Sequence, residues 1–107
     1  MNIQFTPDDI RRGCILLDSE KGKELGLTSD RFEEGSYLWL KDKTLYLSML
    51  ISKKEHQGYV LDILNKAQKK GYDMECVPIS RRMIDILMKF GFRPNQSGVW
   101  RYENSNN

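Results

Sequence analysis

The hydrophobic pattern between residues 44 and 103 predicts strands and helices in alternation. Apolar residues occupy every second position of the run 44–52, which is typical of a strand. The residues predicted to share one of its faces are Leu45, Leu47, Met49 and Ile51. From residue 58 to 70 the apolar residues recur every three or four positions, so an amphipathic helix that ends at Gly71 is expected.

A second strand and a second helix follow. The run 73–79 predicts the strand, and Ser80 is placed to cap the helix. The apolar stripe of that helix comprises Met83, Ile84, Leu87 and Phe90. Gly91 should end the helix, and a closing strand is expected at about 99–103.

Upstream, two aromatic and aliphatic runs at 36–40 and 44–52 flank a charged turn around Asp42, which predicts a β-hairpin. A strand at 14–17 and a short helix at 20–25 should precede it. An extended piece at 2–6 and a short helix at 7–12 complete the expected elements.

These elements predict an α+β fold of α/β-like character, with one mixed, curved β-sheet flanked by helices. Helical crossovers require parallel strands, whereas the hairpin requires antiparallel ones. With 39% hydrophobic and 30% charged residues, residues 1–107 should form a single domain, and 104–107 a loose tail.

The few reactive residues of the chain limit the kinds of site that it can form. Only Cys14, Cys76 and one histidine are available, too few for a structural zinc site in one copy, so we expect no metal. Both cysteines should pack as small hydrophobes, which favours a reducing, cytoplasmic environment. No segment approaches the roughly 18 apolar residues needed to cross a bilayer, so no membrane association is expected.

Basic and acidic side chains are divided unevenly along the chain, and the more basic part contains a candidate anion-binding loop. Residues 1–35 hold five basic and eight acidic side chains, whereas residues 36–107 hold twelve and seven. The loop 52–60 adds lysines to the unpaired amides of a helix start, a combination that attracts anions such as a diphosphate. The alternative is a solvated loop whose glycine merely begins a helix.

The chain resembles the GNAT acyltransferases over residues 44–103. That family has a strand, an Arg/Gln-x-x-Gly-x-Gly/Ala loop opening a helix, then a strand and a helix that ends in Gly-Phe. Gly58 matches the middle glycine and Gly91-Phe92 the ending, whereas Glu55 and Val60 depart from the other loop positions. Both departures should weaken binding of a coenzyme.

The resemblance implies acetyl-CoA or a related acyl-CoA as the ligand. The pantetheine arm would pair with the strand end and the diphosphate would meet the loop. The implied coenzyme-binding residues are Leu50, Ile51, Ser52, Lys53, Lys54, His56, Gln57, Gly58, Tyr59 and Val60. Leu87 stands where the family often has a tyrosine acid, and no catalytic residue is assigned.

The leading hypothesis is therefore a small, truncated GNAT-like N-acyltransferase that transfers an acetyl group to an unknown amine or protein acceptor. The alternative is a non-catalytic module of the same fold that binds a protein partner or a second copy. Nucleic-acid binding is a minor alternative, based on strand aromatics that more often belong to a core. These aromatics are Tyr37, Trp39, Tyr46, Trp100 and Tyr102.

Overall fold

The architecture is a six-stranded β-sheet with three helices, seen in a computed structural model that describes residues 13–54 and 57–104. The elements are β1 (Cys14–Leu16), α1 (Glu20–Leu25), β2 (Tyr37–Lys41), β3 (Thr44–Met49), α2 (Tyr59–Lys69), β4 (Asp73–Cys76), α3 (Arg81–Phe90), β5 (Arg93–Pro94) and β6 (Trp100–Tyr102). The expected extended piece at 2–6 and helix at 7–12 lie outside the described residues.

The strands lie in the order β1-β2-β3-β4-β6-β5. Only β3 and β4 run parallel, because α2 carries the chain back between them; every other neighbouring pair is antiparallel. The predicted mixed sheet is therefore confirmed. The strand expected at 73–79 ends early at Cys76, and the short β5 was not predicted.

Local signals explain where the elements begin and end. Asp42 adopts a left-handed conformation with φ of 56° in the hairpin turn. The Met83 N–H donates to Ser80 Oγ at 3.1 Å and so caps α3 at its start. Gly91 ends α3 with φ of 114°, a conformation that costs glycine little.

All three helices lie on one face of the sheet and share one hydrophobic core. Tyr102 of β6 shows this for α2 and α3, because its ring contacts Phe90 and its hydroxyl accepts a hydrogen bond from Gln68, and α1 joins them through Leu25, which belongs to the same core cluster. The fully buried side chains of the core include Leu25, Leu38, Leu45, Ile63, Leu64, Met74 and Leu87. The opposite side of the sheet, here called the helix-free face, carries no helix of the described residues.

A β-bulge in β3 changes which side chains enter the core. Trp39 pairs with Tyr46 but Tyr37 pairs with Met49, so β3 contains one extra residue between these pairs. The predicted alternation therefore stops in mid-strand. Leu45 and Leu47 are buried, whereas Met49 and Ile51, expected on the same face, are exposed, and Leu50 packs on the core instead.

Asn104, the first residue of the segment 104–107 that was expected to be a loose tail, is bound to the rest of the fold. Asn104 is buried, its N–H donates to Asp73 Oδ1 at 2.7 Å, and its amide donates to the Gln68 carbonyl at 2.9 Å. These bonds attach the end of β6 to β4 and α2.

Candidate functional site

The two parallel strands separate after three registered pairs. Thr44, Leu45 and Tyr46 face Asp73, Met74 and Glu75, and no pair joins the described residues of β3 and β4 beyond Tyr46 and Glu75. β3 continues to Met49, past the bulge. We call the opening between residues 47–52 and 76–79 the fork. Because the carboxyl ends of parallel strands meet at one sheet edge, the fork lies where ligands bind in many α/β sheets.

Along residues 51–53, the backbone groups on the side away from the fork are already hydrogen-bonded. Ile51 N–H donates to Ser36 Oγ at 3.0 Å, and Ile51 C=O accepts from Glu33 N–H at 2.7 Å. Lys53 N–H likewise donates to the Arg31 carbonyl at 2.8 Å. Residues 31–36 thus cover this side of the chain, and the expected use of Ile51 as a backbone partner for a ligand is incompatible with these bonds.

The backbone groups of Leu50 and Ser52 point the other way. In an extended chain successive residues direct their N–H and C=O groups to opposite sides. Since Ile51 and Lys53 face residues 31–36, Leu50 and Ser52 face the fork. No backbone hydrogen bond joins either of them to another residue within 13–54 or 57–104. Two peptide groups can therefore bind an extended ligand here.

The start of α2 offers unpaired amides beside an open glycine. Gly58 is exposed, has φ of 75°, and would have no heavy atom within 4 Å of an added Cβ. Gly58, the N-cap residue, has no side chain to cap the helix, and the first intrahelical bond among the described residues runs from Asp62 N–H to the Gly58 carbonyl. The N–H groups of residues 59–61 therefore precede the first intrahelical bond, as an anion site requires.

Val60 does not obstruct these amides with its side chain. It is 8% exposed and belongs to the core on the helix side of the sheet. Tyr59 is half-buried, with its ring near Phe32 at a centroid distance of 6.1 Å. Both residues can therefore contact a ligand at this point through their N–H groups. The buried side chain of Val60 gives little reason to expect that it weakens coenzyme binding.

Arg31 connects the two parts of the site and was not anticipated. Its carbonyl binds Lys53 N–H, its guanidinium lies 5.4 Å from the centre of the Tyr59 ring, and its Nη1 donates to Asp62 Oδ2 at 2.7 Å. Arg31 thus holds Lys53, just beyond the fork, close to the first turn of α2. Nothing in the local sequence pattern signals this role, because the two contacted segments are distant in the chain.

Asp62 remains ionised as part of this connection. Partial burial favours its protonated form, but hydrogen bonds from Lys66 and Arg31 outweigh that effect and lower its pKa below the ordinary value. Lys66 Nζ lies 2.9 Å from Asp62 Oδ1, one helical turn away. The carboxylate therefore neutralises part of the positive charge near the start of α2.

Other cations lie around the same sheet edge. Lys53 and Lys54 follow β3 and are exposed, as is Gln57. Arg81 and Arg82 begin α3, which leaves the end of β4 at this edge. The candidate residue His56 and the divergent Glu55 lie outside the described residues.

Leu87 cannot present a polar group to the fork. Its side chain is fully buried in the core, and its carbonyl accepts from the Gly91 and Phe92 N–H groups at the end of α3. The position that the family resemblance associates with a proton donor is thus a packing position in this chain.

The remaining candidate groups are two free thiols and an arginine that is already paired. Cys76 is buried, and burial raises the pKa of its thiol to about 11; Cys14 is also a free thiol. A surface depression of about 340 Å³ is lined by Gly91, Arg93, Arg101 and Glu103. Arg101 already forms ion pairs with the carboxylates of Asp73, Glu75 and Glu103. These offset its positive charge, so Arg101 is poorly suited to bind an anion.

The strand aromatics divide between the two faces of the sheet. Trp100 and Tyr102 pack on the core, as the pairing of Tyr102 with Met74 requires. The helix-free face carries the other three, Tyr37 and Trp39 of β2 and Tyr46 of β3, and Trp39 pairs with Tyr46. The five residues do not form one aromatic surface.

Among residues 13–54 and 57–104, no three His, Cys, Asp or Glu side chains are grouped to hold a metal ion. No helix in these ranges has the length and apolar character needed to cross a membrane.

The fork, the uncapped start of α2 and the Arg31 connection together form the candidate site. Comparison of the chain with protein-family models, with curated proteins and with solved structures gave no significant match.

Proposed function

We propose that the chain is a GNAT-like protein that binds an acyl-CoA and transfers its acyl group to an amine. The pantetheine arm would lie in the fork, bonded to the backbone of Leu50 and Ser52. The diphosphate would meet the first-turn amides of α2 beside Gly58. The acceptor would be an unknown amine or protein amino group.

The separation of β3 from β4 is the observation that carries this proposal. It exposes backbone donors and acceptors in the interior of a sheet, where they would otherwise be paired. A pantetheine arm contains amide groups that can pair with such a strand, and the adjacent helix start can accept its diphosphate. Lys53 and Lys54 add long-range attraction for the anion.

Transfer of the acyl group would rely on positioning. The amine nitrogen attacks the thioester carbonyl carbon, the C–N bond forms as the C–S bond breaks, and the amine proton passes through water to the departing thiolate. Holding amine and thioester in contact can itself supply a large rate gain. No described side chain at the fork is assigned a role in proton transfer.

Thermal denaturation with and without acetyl-CoA tests the binding step. A ligand that binds only the folded protein raises its unfolding free energy, by about 2.7 kcal/mol at 100 times the dissociation constant. We expect a concentration-dependent rise in Tm with acetyl-CoA and with CoA, and a smaller one with pantetheine, which lacks the diphosphate. No rise at millimolar acetyl-CoA would reject the proposal.

A non-catalytic, protein-binding role is the second candidate, and one observation favours it. The full burial of Leu87 leaves α3 without a proton donor at the position that the resemblance indicates. An extended peptide could pair with Leu50 and Ser52 as a pantetheine arm does, because both ligands use backbone groups. In that case the chain would show no rise in Tm with acetyl-CoA and would still bind extended peptides.

A further inference from the structure

An apolar row on the helix-free face begins at the fork. Leu16 pairs with Tyr37 and Tyr37 pairs with Met49, so these three side chains cross β1, β2 and β3 on the same face. Leu16 is 54% exposed and Met49 is 40% exposed. Across the fork, Val77 is 64% exposed just after the end of β4. We call Leu16, Tyr37 and Met49 the apolar row.

The β-bulge is the reason that the row reaches the fork. Without the extra residue, Met49 would share the buried face of Leu45 and Leu47. With it, Met49 turns to the helix-free face directly beside the point where β3 and β4 have separated. A ligand that emerges from the fork on this face therefore meets Met49 first, then Tyr37 and Leu16.

The helix side of the sheet offers no comparable path. Leu45, Met74 and Leu87 are fully buried there, so the core is filled beneath the closed end of the fork. As far as residues 13–54 and 57–104 define the space, a chain attached to a thioester in the fork can continue over the helix-free face and not into the core. From β3 to β1 the row spans roughly 10 Å, which matches an acyl chain of about eight carbons.

We infer that the apolar row binds the hydrocarbon chain of a medium-chain acyl thioester, such as a hexanoyl or octanoyl group. This inference rests on the proposed acyl-CoA site and specifies its acyl substrate. Continuity with the fork identifies the occupant, because the row starts where the thioester would lie and ends after two further strands. An acetyl group would be too short to contact Tyr37 or Leu16.

Calorimetric titration with CoA, acetyl-CoA, hexanoyl-CoA and octanoyl-CoA, kept below micelle-forming concentrations, tests this inference. Each methylene that becomes half-buried should tighten binding about twofold, so octanoyl-CoA should bind on the order of 50-fold more tightly than acetyl-CoA. CoA should still bind through its diphosphate and pantetheine parts.

Two methionine variants provide the matched control. Met49→Gln keeps the length of the side chain but makes its end polar, and should remove most of the gain with chain length, measured as the ratio of octanoyl-CoA affinity to CoA affinity in the same variant. Met88→Gln alters an exposed methionine of α3 outside the row and should preserve the gain. Circular dichroism would verify that both variants are folded.

The outcomes separate this inference from the proposed function. Equal affinity for CoA and octanoyl-CoA would overturn the acyl-chain assignment and leave the coenzyme site intact. Equal weakening of octanoyl-CoA by both variants would also overturn it, since it would indicate unspecific adsorption. Failure of every thioester and of CoA to bind would reject the coenzyme site itself and the acyl-chain assignment with it.

Discussion

The helices α2 and α3 both begin at the edge of the sheet where β3 and β4 end, yet their first turns differ. Ser80 caps α3 with its hydroxyl, whereas Gly58 precedes α2 in a left-handed conformation and supplies no side-chain acceptor. A cap satisfies a donor that a ligand would otherwise use. The difference indicates that α3 is stabilised locally, while α2 keeps its first amides available.

The two first turns also differ in what holds them in place. At α2 the position of the first turn depends on tertiary contacts, because Arg31 accepts a hydrogen bond from Lys53 N–H and donates one to Asp62. At α3 the serine bond spans three residues and is local. Substitutions at α2 should therefore affect ligand binding and stability separately, and those at α3 mainly stability.

The largest effect is expected from Gly58→Glu. A carboxylate beside the first amides of α2 should repel a diphosphate and occupy its space, lowering acetyl-CoA affinity at least about 100-fold, or roughly 3 kcal/mol. Calorimetric titration would measure the loss. Gly98→Glu provides the matched control, because Gly98 also has positive φ and open surroundings but lies in the β5–β6 turn. Similar losses in both variants would contradict a site at Gly58.

Val60→Gly should destabilise the fold rather than improve binding. Its side chain is buried in the core, so removing it forfeits packing and adds the cost of glycine in a helix, together about 3 kcal/mol. Urea denaturation would measure the loss. Tighter acetyl-CoA binding with unchanged stability would show that Val60 faces the ligand after all.

Ser80→Ala tests the capped helix. Loss of the bond to Met83 N–H should lower the free energy of unfolding by about 1 kcal/mol and leave acetyl-CoA affinity unchanged. Chemical denaturation and calorimetric titration on the same sample measure the two quantities. A tenfold fall in affinity would mean that α3, too, contributes to the ligand site.

The smallest effect is expected from acid titration of Asp62. Its folded-state pKa lies below its unfolded value of about 3.9, so its stabilising contribution is present above that pH and is lost as the pH falls through the folded-state pKa. Asp62→Asn should therefore be less stable than the unsubstituted chain at neutral pH, by less than about 1 kcal/mol for such partly exposed pairs.

Urea denaturation of both proteins from neutral to acid pH would follow this difference, which should shrink as the pH falls below about 4. Glu24→Gln breaks the longer ion pair to Lys70, at 3.8 Å, and serves as the control with a smaller expected change. A constant difference across the titration would contradict an ionic role for Asp62.

Much of the fold could be predicted because its signals are local. The hairpin around Asp42, the amphipathic helices α2 and α3, the Ser80 cap and the Gly91 end were all predicted and are found. Each depends on residues within one or two helical turns or one strand pair. The two-residue β5 was missed because so short a strand has no periodicity to detect.

The site was only partly predictable, because its geometry depends on contacts between distant segments. The sequence indicated Gly58 and the neighbouring amides, and the structure places them in the open. It did not indicate that residues 31–36 bind the backbone of Ile51 and Lys53. A local hydrophobic pattern does not predict which strand edge a distant loop will cover. The role of Arg31 was missed for the same reason.

The sequence by itself determined where helices and strands form and where the helices end, because hydrophobic periodicity, caps and glycines act over a few residues. Only the tertiary structure decided the bulge in β3, the separation of β3 from β4 and the exposure of Met49. These features arise from the pairing of β3 with different neighbours on its two edges, and strand pairing is a long-range interaction that local patterns leave open.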